Sequence, residues 1–317
     1  MALIVELAVQ GLQMLLVLAV APFVLGFTRK LKARLLRRRG PPIIQPYRDL
    51  LRLSRKEVVL AENASWLFRS APYMIFATTW VAAALVPTFA TGLYFSWSAD
   101  LIAITALLGS ARLFLALAGM DVGTSFGGIG ASREMMFASL AEPAMLMIAF
   151  TVALVAGSTQ LSHVAAFMQS HAGLRVSLGL ALVGLIIVSI AENARIPVDN
   201  PATHLELTMV HEAMVLEYSG RHIALIEMAA ALKLVLYISL IACIFLPWGI
   251  ATNGDGPVAY ALGVTAYVGK LMASSVLLVV FETSIAKMRV FRVPEFLGIA
   301  LMLGLLGTLL LFVSRSF

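Results

Sequence analysis

Charge is scarce in this sequence. Only 13% of its 317 residues are Asp, Glu, Lys or Arg, against about 25% in soluble globular domains. Hydrophobic residues make up 61%, and the mean hydropathy is +0.94. A water-soluble fold could not hide this much apolar surface, whereas a bilayer removes the problem. Cysteine is almost absent. The one thiol, Cys243, cannot close an internal disulfide. It also cannot supply the roughly four thiolates of an iron–sulfur cluster. It lies in an apolar stretch and reads as a packed core residue, so any redox metal is expected on another subunit. No basic residue precedes the apolar run at 2–27, and that run exceeds the core of a signal peptide. It reads as a retained helix. No internal repeat is visible, which removes support for an inverted-repeat transporter.

What is present is a series of apolar runs, at residues 2–27, 73–92, 101–120, 135–157, 174–191, 223–250, 258–285 and 296–313. About 20 residues suffice for one span. The expectation is a single all-α integral membrane domain over 1–317, with about eight transmembrane helices. The seven connections alternate in charge. The odd ones hold 18 of the 23 Lys and Arg, twelve of them in connection one alone, and the even ones hold almost none. This is the positive-inside pattern, so the odd connections and both long loops, 28–72 and 192–222, are expected in the cytoplasm. Both termini are then expected on the other side. The net charge of +6 is thus read as a topology signal and not as a nucleic-acid site.

Long connections in compact proteins usually carry a task. Connection one contains Arg37, Arg38, Arg39, Arg48, Asp49, Lys56 and Glu57. Within it, Leu50, Leu51 and Leu53 alternate with basic residues over 47–57, which fits an interfacial amphipathic helix. A solvated basic linker is the other reading. These residues, with Arg195, are candidates for docking a partner.

Several ionisable residues fall inside or at the mouths of spans: Arg112, Glu134, Glu142, Glu192, Glu227, Lys233, Lys270 and Glu282. A centred charge costs about 2.5–3.5 kcal/mol on insertion scales, and such residues tend to mark ion routes. A single one could snorkel to the interface; eight together are harder to dismiss. Connection five adds Asp199, Glu206, Glu212 and Glu217. After Pro197 and Pro201 the pattern over 204–218 suits a helix, on which Glu206 and Glu217 share a face. Carboxylates held together at low dielectric raise one another's pKa, which a proton relay needs. The relay candidates are therefore Glu134, Glu142, Glu192, Asp199, Glu206, Glu212, Glu217, Glu227 and Lys233; a solvated acidic loop is the plainer reading. His204 and His211 also share a face, but no opposed histidine pair supports haem or metal ligation. The glycine-rich stretch 121–130 lacks the lysine of a phosphate-binding loop. It reads as a flexible or closely packed surface loop.

The stretch Ala191-Glu-Asn-Ala-Arg-Ile-Pro-Val-Asp199 resembles the Glu-Thr-Asn-Arg-x-Pro-Phe-Asp element of subunit 1 of respiratory complex I. The likeness continues through Glu206-Leu207, Glu217-Tyr218-Ser219-Gly220, Gly40-Pro41, Gln45-Pro46, Asp49, Lys56-Glu57 and Ser132-Arg133-Glu134. Residues 199–212 and 282–295 look like the membrane subunit of group 4 nickel–iron hydrogenases, the formate hydrogenlyase and hydrogenase-4 kind. The resemblance implies a membrane anchor in a bacterial or archaeal plasma membrane. Its partners would be hydrogenase large and small subunits, an iron–sulfur subunit and antiporter-like membrane subunits. The nickel–iron centre and the iron–sulfur clusters would sit on those partners, with no cofactor bound by this chain. A quinone-site subunit of complex I is the alternative; the short insert Pro42-Ile43-Ile44 argues against it. A free-standing transporter is a third class.

The charge pattern predicts that a cysteine replacing Arg38 is labelled by an impermeant maleimide from the cytoplasmic face, and one replacing Asp255 from the opposite face. Labelling at position 255 from the cytoplasm would overturn the arrangement.

Overall fold

The computed structural model describes residues 2–170, 175–195, 210–252, 254–286, 288 and 292–316. The helices are α1 (Ala2–Leu35), α2 (Gln45–Ser54), α3 (Trp66–Leu85), α4 (Leu101–Asp121), α5 (Ser125–Ala156) and α6 (Leu161–Ser170). They continue with α7 (Val176–Glu192), α8 (His211–Val215), α9 (Gly220–Phe245), α10 (Pro257–Ser284) and α11 (Val293–Ser316). Among the described residues, β pairing is limited to two isolated bridges, Ala90 with Ala251 and Asp100 with Gln160. Polar caps set several helix starts. Ser65 Oγ accepts from Leu67 N–H at 3.1 Å, Asp100 from Ile102 N–H at 2.7 Å and Thr124 from Gly127 N–H at 3.3 Å.

The chain is a multi-pass α-helical membrane protein. Among the described residues, six helices are long and apolar enough to cross a bilayer: most of α1, then α4, α5, α9, α10 and most of α11. α7 is apolar but shorter. The expected run at 73–92 corresponds to α3, which starts at Trp66 and stops at Leu85. Arg69, Ser70 and Pro72 dilute its apolar character. α9 lies at the centre, packed by α1, α2, α3, α6, α7 and α10. Its apolar stretch is 78% buried, against 22% for α10. α5 and α11 approach closely enough for the Thr151 hydroxyl to donate to Gly304 O at 3.2 Å, the small-residue contact that membrane helices use.

Connection one is more ordered than a linker. α1 extends to Leu35 and carries Arg29, Lys30, Lys32 and Arg34 on a continuous helix. The expected amphipathic helix exists as α2, against α1 and α9, with Leu51 59% exposed. Pro22 removes a rung from the hydrogen-bond ladder of α1. The Tyr47 hydroxyl inserts there, donating to Ala19 O and bonding the backbone of Phe23. Burial pushes its pKa up. Connection four contains α6, which the hydropathy pattern did not announce. Leu161, Val164 and Ala165 bury its inner face, and Leu161 N–H donates to Ala99 O at 2.9 Å.

The glycine-rich stretch is closely packed. Residues 125–130 form the first turns of α5, not a flexible loop. α8 lies flush on it: a Cβ on Gly130 would come within 2.9 Å of both Val210 O and Met214 Cγ. Of the helix expected over 204–218, residues 211–215 are helical, and 204–209 lie outside the described residues. The substitution Gly130→Ala should therefore lift α8 off α5, at a cost of about 1–3 kcal/mol. Hydrogen exchange should rise at residues 210–218 and stay unchanged in α11. Gly128→Ala, where a Cβ meets nothing within 4 Å, is the control; equal exchange in both variants would count against this packing.

Candidate functional site

Glu134 and Glu142 lie eight residues apart on α5, about two turns, and so share a face. That face meets α4, where Arg112 is 7% exposed. Arg112 Nε lies 3.2 Å from Glu134 and Nη1 lies 3.8 Å from Glu142; Nη2 pairs with Glu192 at the end of α7. Lys233 of α9 approaches Glu192 at 3.6 Å. Four helices thus deliver three carboxylates and two cations to one place. The side chains of Arg112, Glu192 and Glu134 are only 6%, 7% and 13% exposed, while Lys233 is 19% and Glu142 46% exposed at the edge of the group. With all five ionised, the cluster carries one excess negative charge. Arg112 Nε and Nη1 have no aligned hydrogen bond, so Arg112 holds Glu134 and Glu142 by charge and does not lock to either. Such a group can let a proton reside on one acid and then another.

Two narrow cavities flank the cluster. One, of about 30 Å³, touches Arg112, Glu134, Lys233 and His211. The other, of about 10 Å³, touches Glu134, Glu192 and His211. A larger open cleft of about 420 Å³ lies between α1, α9 and the residues after α7. Arg29, Lys32, Arg195, Glu212 and Glu227 line it, together with Leu25, Leu36 and Leu234. In its wall, the buried Glu282 carboxylate accepts from Lys32 Nζ at 2.7 Å and from Arg195 Nη1 at 3.2 Å. That pairing ties α1, the segment after α7 and α10 together.

The relay candidates therefore separate. Glu134, Glu142, Glu192 and Lys233 form one cluster. Glu212 and Glu227 face the cleft, and Glu217 is exposed. Asp199 and Glu206 lie outside the described residues. Among the docking candidates, Arg37, Arg38, Arg39, Arg48, Lys56 and Glu57 are exposed. Asp49 pairs with Arg52 at 3.4 Å, and Arg195 is held by Glu282. Connections one and five are joined directly. Val59 N–H donates to Ser219 Oγ, and that hydroxyl donates back to Val59 O, both at 2.8 Å. Gly220, at φ 55°, has no room for a Cβ against the backbone of Lys56 and Glu57. Tyr218 stacks on Phe68 at 4.0 Å, and burial raises its pKa.

Glu282, Lys32 and His211 stand out less in the sequence than the acids of connection five. Glu282 was visible as a charge in a span, but its partners lie 250 and 87 residues away in sequence. Among the described residues, no three His, Cys, Asp or Glu side chains are grouped to hold a metal.

Residues 8–313 match the family model described as NADH dehydrogenase. The chain is similar to formate hydrogenlyase subunit 4 of Escherichia coli (strain K12), at 33% identity over 90% of this chain and 92% of that protein. It is also similar to hydrogenase-4 component C of the same organism, at 34% identity over 75% of this chain and 74% of that one. Its fold matches a chain in the structure of the membrane-bound sulfane sulfur reductase, an archaeal respiratory membrane complex. The TM-score is 0.81 with 98% and 100% of the two chains covered, at 19% identity.

Removing Arg112 would leave buried carboxylates facing one another. Arg112→Gln is expected to cost about 3–5 kcal/mol, the usual penalty for breaking a buried pair from one side. Arg112→Lys keeps the charge but cannot span three acids, and should lose less. Thermal unfolding in detergent measures both; an unchanged midpoint in Arg112→Gln would show that the cluster is no structural tie.

Proposed function

The chain belongs to the NADH dehydrogenase family, and within it we propose that this protein is the anchoring and coupling subunit of a group 4 nickel–iron hydrogenase complex of the formate hydrogenlyase kind. The observation that carries the coupling role is the buried Arg112–Glu134–Glu192 group, with Lys233 beside it and the half-exposed Glu142 at its edge. Its charges lie where ionisation is expensive, in mutual reach, with cavities on either side. The similarity to the formate hydrogenlyase and hydrogenase-4 subunits supports the choice of complex.

In this reading, connections one and five form the dock for the soluble arm, and the Ser219–Val59 clamp holds them as one surface. The exposed basic run at 37–39 supplies steering charge. The large and small hydrogenase subunits and an iron–sulfur subunit carry the nickel–iron centre and the clusters. Antiporter-like subunits receive the charge shift within the membrane. The complex sits in a bacterial or archaeal plasma membrane, with both termini of this chain away from the cytoplasm. The open amphipathic cleft beside α1 favours a second reading, a quinone-site subunit of a complex I relative.

Native purification through this chain, with mass spectrometry of what accompanies it, separates the two. A hydrogenase pair is expected; an NADH- and quinone-reactive assembly would replace the first reading with the second. The relay is tested by Glu134→Gln and Glu192→Gln. Glu134→Gln leaves both cations paired, Arg112 with Glu142 and Glu192 and Lys233 with Glu192, whereas Glu192→Gln also removes the ion pair of Lys233. The complex should remain assembled, with reduced coupled turnover and ion movement. Normal ion movement in both variants would remove the relay from the proposal.

A further inference from the structure

His211 opens α8 at a point where three cavities meet. It lines the open cleft, the narrow cavity beside Arg112 and Lys233, and the smaller one beside Glu192. Glu134 lines the two inner cavities and Glu212 the outer cleft. We propose that the His211 imidazole passes protons between the open cleft and the buried Arg112–Glu134–Glu192 cluster. The proposal deepens the coupling role above and rests on it.

The placement is fixed by packing. Met214 and Val210 seat α8 on Gly119 and Gly130, where a side chain would not fit, so the imidazole is held at the junction by a rigid base. Its environment keeps it neutral at rest: burial lowers its pKa to about 4, the Lys233 charge adds to this, and Glu134 opposes it. A neutral imidazole presents one donor and one acceptor nitrogen. It can gain a proton at one nitrogen from water in the cleft and lose the other nitrogen's proton to the Glu134 carboxylate. The ring is then neutral again in the other tautomer, and a ring flip restores the starting form. No electron moves, and the charge carried inward is one proton. Glu134 on the inner side is the acid that lowers the cost of the transient imidazolium, against the charges of Lys233 and Arg112. A carboxamide in the same place could keep hydrogen bonds but could not carry a proton.

The test uses the assembled complex in inverted membrane vesicles, with reduced methyl viologen as electron source. His211→Ala and His211→Gln are compared with Glu134→Gln, and co-purification of partner subunits reports assembly. Both His211 variants should assemble and lose proton uptake by on the order of 100-fold, the scale of a lost acid–base group. Added imidazole, entering through the open cleft, should restore uptake in His211→Ala and not in His211→Gln. Full uptake in either variant overturns the proposal, as does a loss that glutamine repairs and imidazole does not. If His211→Ala fails to assemble, uptake in His211→Gln decides alone. Blocked uptake in Glu134→Gln beside normal uptake in His211→Gln removes His211 and leaves the relay. Normal uptake in Glu134→Gln removes Glu134 as the acceptor and overturns the His211 route, while the relay as a whole falls only if Glu192→Gln is normal as well.

Discussion

The structure depends on one guanidinium. Arg112 is buried within a helix that crosses the apolar layer, where a lone charge has no water to turn to. Its three carboxylate partners come from α5 and α7, and Lys233 of α9 completes the group. The charges therefore require α4, α5, α7 and α9 to converge at one depth. Apolar packing alone would not require it, because lipid tails solvate leucine as well as another helix does. A residue that is costly in isolation thus fixes which helices are neighbours.

The same economy applies around it. Lys32, Arg195 and Glu282 tie α1, the end of α7 and α10 at the mouth of the cleft. Glycines at 119 and 130 bring α8 against α4 and α5, which places His211 between cleft and cluster. The Tyr47 hydroxyl fastens α2 into the break that Pro22 makes in α1. Each device joins a surface connection to the bundle. In the proposed role, a partner seated on connections one and five would rest on parts that reach directly to the buried charges, and a proton shifted within the cluster would change the field that its neighbours feel without a large motion.

Much of this was legible in the residues. The low charge and long apolar runs gave helices in a bilayer, and Arg112, Glu134, Glu142, Glu192 and Lys233 stood out because each is expensive where it sits. The amphipathic α2 was legible from leucines alternating with arginines. Other features were not. α6 is a short helix of mixed character whose burial comes from contacts with distant backbone. The glycine-rich stretch 121–130 looked like a loop because glycine weakens helical propensity. Gly130 serves close approach to α8 and Gly127 to Gly119 of α4, contacts visible only once the segments are placed.

By itself, the sequence determined the solvent, the helical class, the rough positions of the spans and the charges that needed explaining. Each follows from transfer free energy and chain period, which are local. It did not determine which apolar helix lies inside. α9 and α10 are both strongly apolar, yet one is 78% buried and the other 22%. Facing lipid and facing protein are nearly equivalent for an apolar side chain, so hydropathy carries no such distinction. Only the tertiary structure decided it, together with the pairing of Glu282 and the junction at His211. Those choices are made by contacts between residues far apart in the chain, where no local pattern records them.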